Sequence, residues 1–367
     1  MLTVGDLFSG SGGMSWGFHV NPNFKIIGAA DAEYAKPSSK GKASTKCNLT
    51  YEAAMGIKPN NVDLSVITPE ELGQLWGVSS LDVLISCAPC TDFSKKNAEN
   101  YVKDKERNLL VGRTFEFIEF FKPTFFIMEN VPEMLEGKHK HHADELIKKL
   151  REDGYSVADD VHNLAEFGLP QLRHRALIIA SKDEKASFPQ ATHTPDQFVT
   201  VREAIEHLCS PEWEIQYGQK HELDTIHRSP GSHDINVQRM KAIPKDGGSW
   251  NSLPEHLLIN SMRNRRKGSY PDIYGRMWWD QPARTITREC GNLGNGRYLH
   301  PESNRLVSVR EMSILQGFPK DYPFKGSTAN MYNQIGDSVP PLVSKIVAEH
   351  VLSLSSKHDY SQTITKQ

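Results

Sequence analysis

The sequence predicts an α/β protein in which a Rossmann-like sheet carries a second, smaller domain of irregular structure. Up to residue 185, short apolar runs alternate with helix-compatible stretches, which is the pattern of a doubly wound sheet. A glycine-rich segment directly follows the first apolar run, as in sheets that bind a ligand at one edge. Beyond residue 185 this alternation fades, and proline, histidine, tryptophan and asparagine become frequent. We therefore predict one domain from residues 1–185 and 325–367, and another from residues 186–324.

Five short, mostly apolar runs that end in turn or polar residues are predicted to be buried strands. They comprise residues 2–8, 25–30, 81–86, 124–128 and 175–180. The predicted helices lie between and after these runs, at residues 14–18, 69–76, 113–121, 141–151, 307–316 and 342–354. Because the last helix follows the irregular region, we expect it to complete the first domain.

Composition and charge exclude several classes of protein. The 43 Lys and Arg against 45 Asp and Glu give a net charge of −2, which excludes a globally basic DNA-coating protein but not a local basic face. The five scattered cysteines form neither a secreted disulfide framework nor a zinc-ligand spacing, so we predict a reducing compartment and no metal. No apolar run approaches the roughly 18 residues of a membrane span, and the N-terminus does not resemble a signal peptide. We therefore predict a cytoplasmic protein that does not act on membranes.

The glycine loop between the first strand and the first helix predicts a ligand site. Backbone N–H groups in such a loop bind anionic groups, and its candidate residues are Phe8, Ser9, Gly10, Gly12 and Gly13. Asp31 ends the next strand 21 residues after Gly10, where a carboxylate commonly binds a ribose hydroxyl. The spacing favours an adenosine-bearing cofactor over a simple tight turn. Asp63 is either a ligand of the adenine amino group or an ordinary solvent-facing side chain.

Two features of this loop distinguish between cofactors. A dinucleotide motif needs a third glycine where this chain has Ser15. Asp6 directly precedes the loop, and its carboxylate would repel a pyrophosphate but attract an α-amino group. Both features favour S-adenosylmethionine over a nicotinamide dinucleotide.

Cys90 follows the third predicted strand, at the edge where α/β sheets place their chemistry. Three interpretations are open at this point. Cys87 and Cys90 form a C-x-x-C redox pair, Cys90 is a buried structural thiol, or Cys90 is a nucleophile and Cys87 belongs to the core. A thioredoxin-like redox protein would be much shorter than this chain and would leave the glycine loop unexplained.

Charged residues follow the next two predicted strands. Glu129 ends the fourth strand, where burying a carboxylate is costly, although a helix-capping role with Asn130 is an alternative. Arg173 and Arg175 alternate by two, so we expect both on one face of the next strand. Two arginines on one face indicate a site for anions or acceptor oxygens.

These segments, taken together, resemble the C5-cytosine DNA methyltransferases of bacterial restriction–modification systems. The matching blocks stand in the family's order and nearly span the chain: DLFSGSGG at 6–13, Pro89-Cys90 with Phe93-Ser94, Glu129-Asn130-Val131, Gln171-x-Arg173-x-Arg175, Val309-Arg310-Glu311 with QGFP at 316–319, and QIGDSV at 334–339. The region between the fourth and fifth blocks is where this family has its variable target-recognition region. Two positions depart from the family pattern, because Thr91 replaces a glutamine and Asp337 replaces an asparagine.

The resemblance implies a role for each of these residues. Cys90 would add to C6 of a flipped-out cytosine, Glu129 would bind N3 and the exocyclic amine, and Arg175, supported by Arg173, would hold O2. S-adenosylmethionine would supply the methyl group, and no metal is implied. We expect the cofactor site to contain Asp6, Phe8, Ser9, Gly10, Gly12, Gly13, Asp31, Asp63, Pro89, Leu110, Asp337 and Ser338.

Double-stranded DNA is the partner that the resemblance implies. Residues 94–107 carry a net charge of +2 beside Cys90, and residues 261–270 carry four cations and no acid, which suits phosphates; a solvated loop is the alternative for both. We expect DNA contacts from Ser94, Lys95, Arg107, Gln171, Arg263, Arg265 and Thr285. The enzyme would act as a monomer on the nucleoid, alongside a possible cognate restriction endonuclease that acts separately.

Three rival functions make different demands on the sequence. The branch of the family that methylates cytosine in transfer RNA typically carries a Cys-Phe-Thr tripeptide, which this sequence lacks. A methyltransferase-like DNA-binding regulator would be expected to lose Cys90 or Glu129, and both are present. A nicotinamide-dependent oxidoreductase would leave Cys90 and the two arginines without a role. The sequence therefore favours a DNA (cytosine-5)-methyltransferase.

Overall fold

The computed structural model describes residues 1–34, 44–89, 109–263 and 268–364. The chain divides into two compact units. Unit 1 consists of Met1–Leu164, His174–Ala191 and Val339–Gln367. Unit 2 consists of Ala165–Arg173 and Thr192–Ser338.

These boundaries differ from the predicted ones in three places. Residues 186–191, which the prediction places in the second domain, belong to unit 1. Residues 165–173, which we assigned to the first domain, belong to unit 2 because Gln171 and Arg173 hydrogen-bond to Ile286 and Ser338 there. The chain returns to unit 1 at Val339 rather than near residue 325, because residues 325–338 stay within unit 2. The difference at residues 165–173 arises from tertiary hydrogen bonds that local sequence patterns do not report.

Unit 1 is built on a six-stranded sheet with the strand order β2-β1-β3-β4-β7-β5. The strands are β1 (Leu2–Leu7), β2 (Phe24–Ala30), β3 (Val83–Ser86), β4 (Phe125–Asn130), β5 (Ser156–Asn163) and β7 (His174–Ser181). The first four pair in parallel, so the carboxyl ends of β1, β3 and β4 lie at one edge. This is the edge that carries the predicted motifs.

The sheet departs from a purely parallel doubly wound pattern at β7, which pairs antiparallel with both β4 and β5. The run of residues 175–180 was predicted as a strand, and an apolar run carries no information on strand direction. The sequence gives no prediction for β5. Its residues are intermediate or exposed throughout, and its polar composition lacks the apolar pattern that marks a buried strand.

The helices of unit 1 cover this sheet. They are α1 (Gly13–His19), α2 (Cys47–Met55), α3 (Pro69–Trp76), α4 (Leu109–Phe121), α5 (Glu133–Glu136), α6 (His141–Glu152) and α12 (Pro341–Ile364). The C-terminal helix α12 packs on α1, as the sequence predicts for a helix that completes the first domain. A Cβ on Gly17 would lie 2.3 Å from the Ser344 backbone, so only glycine allows this close approach.

The core of unit 1 lies between the sheet and helices α3, α4 and α6. Trp76 stacks on Phe121 with ring centroids 5.3 Å apart, and its indole N–H donates to Asn60 Oδ1. A Cβ on Gly28 in β2 would meet the Trp76 ring at 2.3 Å, so this strand position requires glycine. The apolar burial of this core holds the strand ends of the candidate site at fixed positions.

Unit 2 contains little regular secondary structure. Its helices are short: α7 (Val201–Ile205), α8 (Asp234–Ala242), α9 (Asn260–Arg263), α10 (Val309–Leu315) and α11 (Thr328–Asp337). Two two-residue strands, β6 (Gln171–Leu172) and β8 (Ala283–Arg284), pair in parallel. No helix in the described part of the chain combines the length and apolar character that crossing a membrane requires.

Candidate active site

The glycine loop at the end of β1 has the backbone geometry of a ligand-binding turn. Gly10 and Gly12 have positive φ values of 51° and 90°, and Phe8 has a φ of 59°, which is unusual for a residue other than glycine. The Ser9 N–H donates to Ala30 O at 3.1 Å, which attaches the loop to the end of β2. Helix α1 begins directly after the loop, at Gly13. The predicted loop residues are therefore brought together in one strained turn.

Asp31 is joined directly to this loop. Its carboxylate accepts the Gly10 N–H at 2.9 Å and the Glu33 N–H at 2.6 Å. Burial raises the pKa of Asp31, against the lowering effect of these two hydrogen bonds. A carboxylate has about four acceptor positions. Asp31 therefore stabilises the loop and keeps acceptor capacity for a hydroxyl group.

Asp6 is the most perturbed acid of the site. Its side chain is 1% exposed, and Oδ2 accepts the Ser15 hydroxyl at 2.5 Å. The Ser15 hydroxyl lies 2.8 Å from the Tyr51 hydroxyl. Burial raises the pKa of Asp6 to about 7; the Ser15 hydrogen bond opposes this rise and the charge of Asp31 adds to it. Among the described residues, Oδ1 of Asp6 has no hydrogen-bond partner, so a buried acceptor is left unsatisfied.

Asp63 lies in a turn with its own partners. Oδ1 accepts the Ser65 N–H at 2.9 Å and the Ser65 hydroxyl at 2.6 Å, and Oδ2 accepts the Tyr34 hydroxyl at 3.0 Å. The turn adjoins the end of β2, because Asn60 N–H donates to Ala29 O. Asp63 therefore lies in a segment that is bonded to the end of β2 beside Asp31, and its carboxylate accepts hydrogen bonds within this turn.

Glu129 and Arg175 form an ion pair on neighbouring antiparallel strands. Arg175 Nε lies 2.9 Å from Glu129 Oε1, and the two side chains are 13% and 9% exposed. The N–H does not point at that oxygen, so Oε1 has no hydrogen-bond partner among the described residues. Arg175 also donates from Nη1 to His174 O. The pair thus places a cation beside a buried carboxylate oxygen that still requires a donor.

Asn130 is a site residue that our sequence analysis did not select. Its Nδ2 donates to Ala88 O at 3.2 Å, and its Oδ1 accepts the Val131 N–H at 2.8 Å. Asn130 therefore ties the end of β4 to the segment that follows β3, two residues before Cys90. The available signal was its place in the Glu129-Asn130-Val131 block, where a polar residue follows a buried glutamate.

Arg173 and Arg175 do not share a strand face, contrary to our expectation. Arg173 lies between β6 and β7, whose strands belong to different sheets, so the alternation rule does not apply to the pair. Arg173 is 2% exposed and donates to Ile286 O at 2.8 Å and to Ser338 O at 3.2 Å. Its observed contacts are with the backbone of unit 2.

The prediction of a DNA contact from Gln171 is wrong for this conformation. Gln171 is fully buried, and Nε2 donates to Leu315 O and to Gln316 Oε1. Its Oε1 accepts the Ile286 N–H at 2.8 Å. Both ends of the amide are therefore used inside unit 2, and the side chain has no surface to present to DNA.

The other described site residues of unit 2 have defined surroundings. Thr285 donates its hydroxyl to Leu172 O, and Arg263 is exposed on α9. Asp337 pairs with Arg288 at 2.8 Å, so the departure from the family's asparagine introduces an ion pair. The Ser338 hydroxyl donates to Gln334 O, and Ser338 O accepts from Arg173.

Two predicted cofactor residues complete the described set in unit 1. Pro89 is exposed after β3, and Leu110 lies in the first turn of α4 with its carbonyl accepting the Thr114 hydroxyl. Five predicted site residues lie outside the described residues, namely Cys90, Ser94, Lys95, Arg107 and Arg265. Within the ranges that the structure describes, no cluster of three or more metal-ligating side chains is found.

Comparison with known proteins identifies the family. The family model for the C-5 cytosine-specific DNA methylases matches residues 2–353. The chain is 31% identical to the type II methylase M.HgiDII of Herpetosiphon aurantiacus over 94% of both chains. It is 30% identical to the type II methyltransferase M1.HphI of Haemophilus parahaemolyticus over 97% of this chain and 88% of that relative. The chain therefore belongs to the C-5 cytosine-specific DNA methylase family, and it is a DNA (cytosine-5)-methyltransferase.

Solved structures agree on the fold. A putative DNA modification methyltransferase encoded within an E. coli prophage matches with a TM-score of 0.71 and 20% identity, over 97% of this chain and all of that one. The Dnmt2 methyltransferase of S. pombe matches with a TM-score of 0.58 and 18% identity, over 96% of this chain and 99% of that one. Family membership and fold together imply a methyl donor.

Proposed function

We propose that this enzyme transfers a methyl group from S-adenosylmethionine to C5 of a cytosine flipped out of duplex DNA. The observation that carries the proposal is the pair of Glu129 and Arg175. A buried carboxylate oxygen, which has no hydrogen-bond donor in the part of the chain that the structure describes, lies 2.9 Å from a guanidinium. A cytosine edge offers what this pair needs, since its amine is a donor for the carboxylate and its O2 is an acceptor for the arginine.

The cofactor proposal is supported by three features of the glycine loop. The unsatisfied Oδ1 of buried Asp6 suits an ammonium group, which would provide both a donor and a compensating charge. Asp31, which accepts the Gly10 and Glu33 N–H groups and the Cys47 thiol, keeps acceptor capacity for one ribose hydroxyl, and Phe8 is partly buried beside the positive-φ turn. When bound, S-adenosylmethionine would present its methyl group as a sulfonium, the electrophile of the reaction. Asp63, Pro89, Leu110, Asp337 and Ser338 are the further residues that we assign to this cofactor.

The chemistry requires a nucleophile because cytosine C5 is unreactive by itself. We assign this role to Cys90, whose thiolate would form a bond to C6 and make C5 an enamine carbon. Glu129 would donate a proton to N3 as C6 is attacked, and Arg175 would hold O2. Methyl transfer to C5 would leave the cofactor as its thioether, S-adenosylhomocysteine. A solvent base would then accept the C5 proton, and the electrons of that C–H bond would re-form the C5–C6 double bond and expel Cys90 as a thiolate. Return of the N3 proton would restore protonated Glu129 for the next turnover.

The DNA duplex is the proposed substrate, and flipping the target base costs a few kcal/mol. We assign contacts with the duplex to Ser94, Lys95, Arg107, Arg263, Arg265 and Thr285, and target recognition to unit 2. Since the two relatives named above are type II enzymes, we further propose a restriction–modification role beside a separately acting endonuclease. One complete set of catalytic residues per chain supports action as a monomer on the nucleoid.

Base-resolution methylation sequencing tests this function. The wild type and the Cys90→Ser variant are expressed in a methylation-free host, and both genomic DNA and RNA are sequenced for 5-methylcytosine. We expect 5-methylcytosine at one short DNA motif with the wild type alone. Methylation confined to RNA, or equal methylation by Cys90→Ser, would contradict the substrate or the nucleophile respectively.

A further inference from the structure

A cleft in unit 2 lies apart from the residues assigned to the reaction. Its volume is about 480 Å³, and helix α8 and the turn at residues 291–293 form parts of its wall. Asn236 and Met240 are one helical turn apart on α8 and both line the cleft. Asn292 and Leu293 line it from the turn.

The lining of this cleft is neutral. Among the described residues that line it there is no aspartate, glutamate, lysine or arginine. Its apolar members include Met240 and Leu293, which are 1% and 8% exposed, and its polar members include two asparagines. Cations supply most of the affinity for phosphates, whereas a lining of neutral amides, hydroxyls and apolar groups can read a base edge by hydrogen bonds and shape. The lining therefore matches a nucleobase better than a phosphate.

The hydrogen bonds define which amide atoms remain available. Oδ1 of Asn236 accepts the Arg239 guanidinium at 2.7 Å and the Tyr274 hydroxyl at 3.3 Å. Oδ1 of Asn292 accepts the Gly294 N–H at 2.9 Å. Guanidinium and backbone N–H groups only donate, so the atoms that they contact must be the amide oxygens. Within the described chain neither amide nitrogen has a partner, so each asparagine offers an NH₂ donor.

We infer that this cleft reads a guanine of the recognition sequence through the NH₂ groups of Asn236 and Asn292. Guanine presents two adjacent acceptors, N7 and O6, in the major groove, whereas adenine and cytosine present a donor there and thymine presents one acceptor beside a methyl group. The hydrogen bonds to the two Oδ1 atoms leave the NH₂ groups of both cleft-lining asparagines available as donors. The inference rests on the proposed function and adds the residues that select the sequence.

Asn236→Asp is the sharpest variant because it changes one atom. The retained oxygen still accepts from Arg239 and Tyr274, while the outward donor becomes an acceptor that repels guanine N7 and O6. Asn292→Asp makes the same change on the turn and keeps the bond from Gly294. Gln238→Glu is the matched control, since it adds the same charge on α8 at an exposed residue outside the cleft lining.

The readout is methylation of a duplex library with randomised bases around a cytosine, sequenced at base resolution. For the wild type we expect a guanine requirement outside the target base pair. Each Asn→Asp variant should lose about 10-fold or more of the preference for guanine at one position, while Gln238→Glu keeps the motif. Measurements of S-adenosylmethionine binding and of thermal unfolding show whether each variant is folded. If one Asn→Asp variant is unfolded, the variant at the other asparagine is used for the test.

The possible results separate this inference from the proposed function. If the wild type methylates no duplex, the proposed function fails and this inference fails with it. If the wild type is active but its motif has no guanine outside the target base pair, the cleft does not recognise guanine. The same conclusion follows if both folded variants keep the wild-type base preference. A lower rate with an unchanged motif, equal to that of Gln238→Glu, would likewise overturn the inference.

Discussion

The two units organise their buried polar groups differently. In unit 1 the sheet and its helices satisfy the backbone, and the candidate site is an edge where β1, β3 and β4 end. In unit 2 long side chains satisfy backbone carbonyls that regular structure leaves unpaired. Arg276 is fully buried and donates to the carbonyls of Ile243, His300, Ser303 and Met240. Buried arginines thus replace part of a hydrogen-bonded sheet in unit 2.

This difference has an energetic consequence for substitutions. A strand in unit 1 loses one contact among many when a side chain is changed, because its neighbours still hold the backbone. A buried arginine in unit 2 donates hydrogen bonds to several carbonyls and often pairs with one acidic side chain. Replacing it leaves all of these buried acceptors without their donor. We therefore expect unit 2 to depend on a few charged residues for its fold, and unit 1 to depend on them mainly for catalysis.

Glu129→Gln is expected to have the largest effect, and the effect is on the reaction. The glutamine keeps the shape but cannot donate a carboxylic acid proton to N3, so kcat should fall about 10²- to 10⁴-fold. The unfolding temperature should change little, because the ion pair with Arg175 lies at the edge of a sheet held by apolar burial. Single-turnover kinetics and thermal unfolding measure the two quantities. A variant with wild-type kcat would remove Glu129 from the mechanism.

Arg305→Met tests the dependence of unit 2 on buried charge. Arg305 is fully buried, pairs with both oxygens of Glu311 at 2.7 and 2.8 Å, and donates to Ile215 O. Leaving Glu311 buried without its arginine, with the Ser308 N–H as its remaining close donor, should cost about 3–5 kcal/mol of unfolding free energy. The double variant Arg305→Met with Glu311→Leu should recover part of this loss. Denaturant unfolding measures both, and equal stability of the single variant and the wild type would contradict the comparison.

The pair of Arg305 and Glu311 also predicts that the protein loses folding stability at acid pH. Arg305 holds the pKa of Glu311 well below its usual value of 4.5, despite complete burial. A carboxyl group with a lowered folded-state pKa contributes stability above the unfolded pKa, and this stability is lost as the pH falls below it. Unfolding measured from pH 6 to pH 3 should show this loss in the wild type, and Glu311→Gln should have a smaller slope.

Sequence patterns predicted regular structure well and side-chain contacts poorly. The strand at residues 81–86 is observed as β3, and the helix at 69–76 has the predicted bounds, because apolar periodicity and capping are local signals. Gln171 shows the limit, since a polar residue in a motif gives no indication of whether its amide faces DNA or a buried carbonyl. Arg173 shows the same limit, because strand alternation fails where the chain passes from one sheet to another.

A smaller effect is expected at the cofactor loop, where the protonation state of Asp6 should change on ligand binding. Its pKa of about 7 lies above the unfolded value of 3.8, so the folded protein retains a proton and stability should fall as the pH rises between these values. An ammonium group beside Asp6 favours the carboxylate, so binding S-adenosylmethionine near pH 7 should release a proton. Calorimetry in two buffers of different ionisation enthalpy measures this release. Asp6→Asn should abolish it, and its persistence there would assign the proton to another group.

The smallest effect is expected from Thr68→Ala, which removes a helix-capping side chain in unit 1. The Thr68 hydroxyl accepts the Glu71 N–H at 3.2 Å, and the Glu71 carboxylate accepts the Thr68 N–H at 2.9 Å, which together form a capping box on α3. Losing the cap should cost about 1 kcal/mol and leave kcat unchanged, because burial of Trp76 and Leu72 still holds the helix. Denaturant unfolding measures the loss. If Thr68→Ala were as destabilising as Arg305→Met, unit 1 would depend on single polar contacts as strongly as unit 2 does.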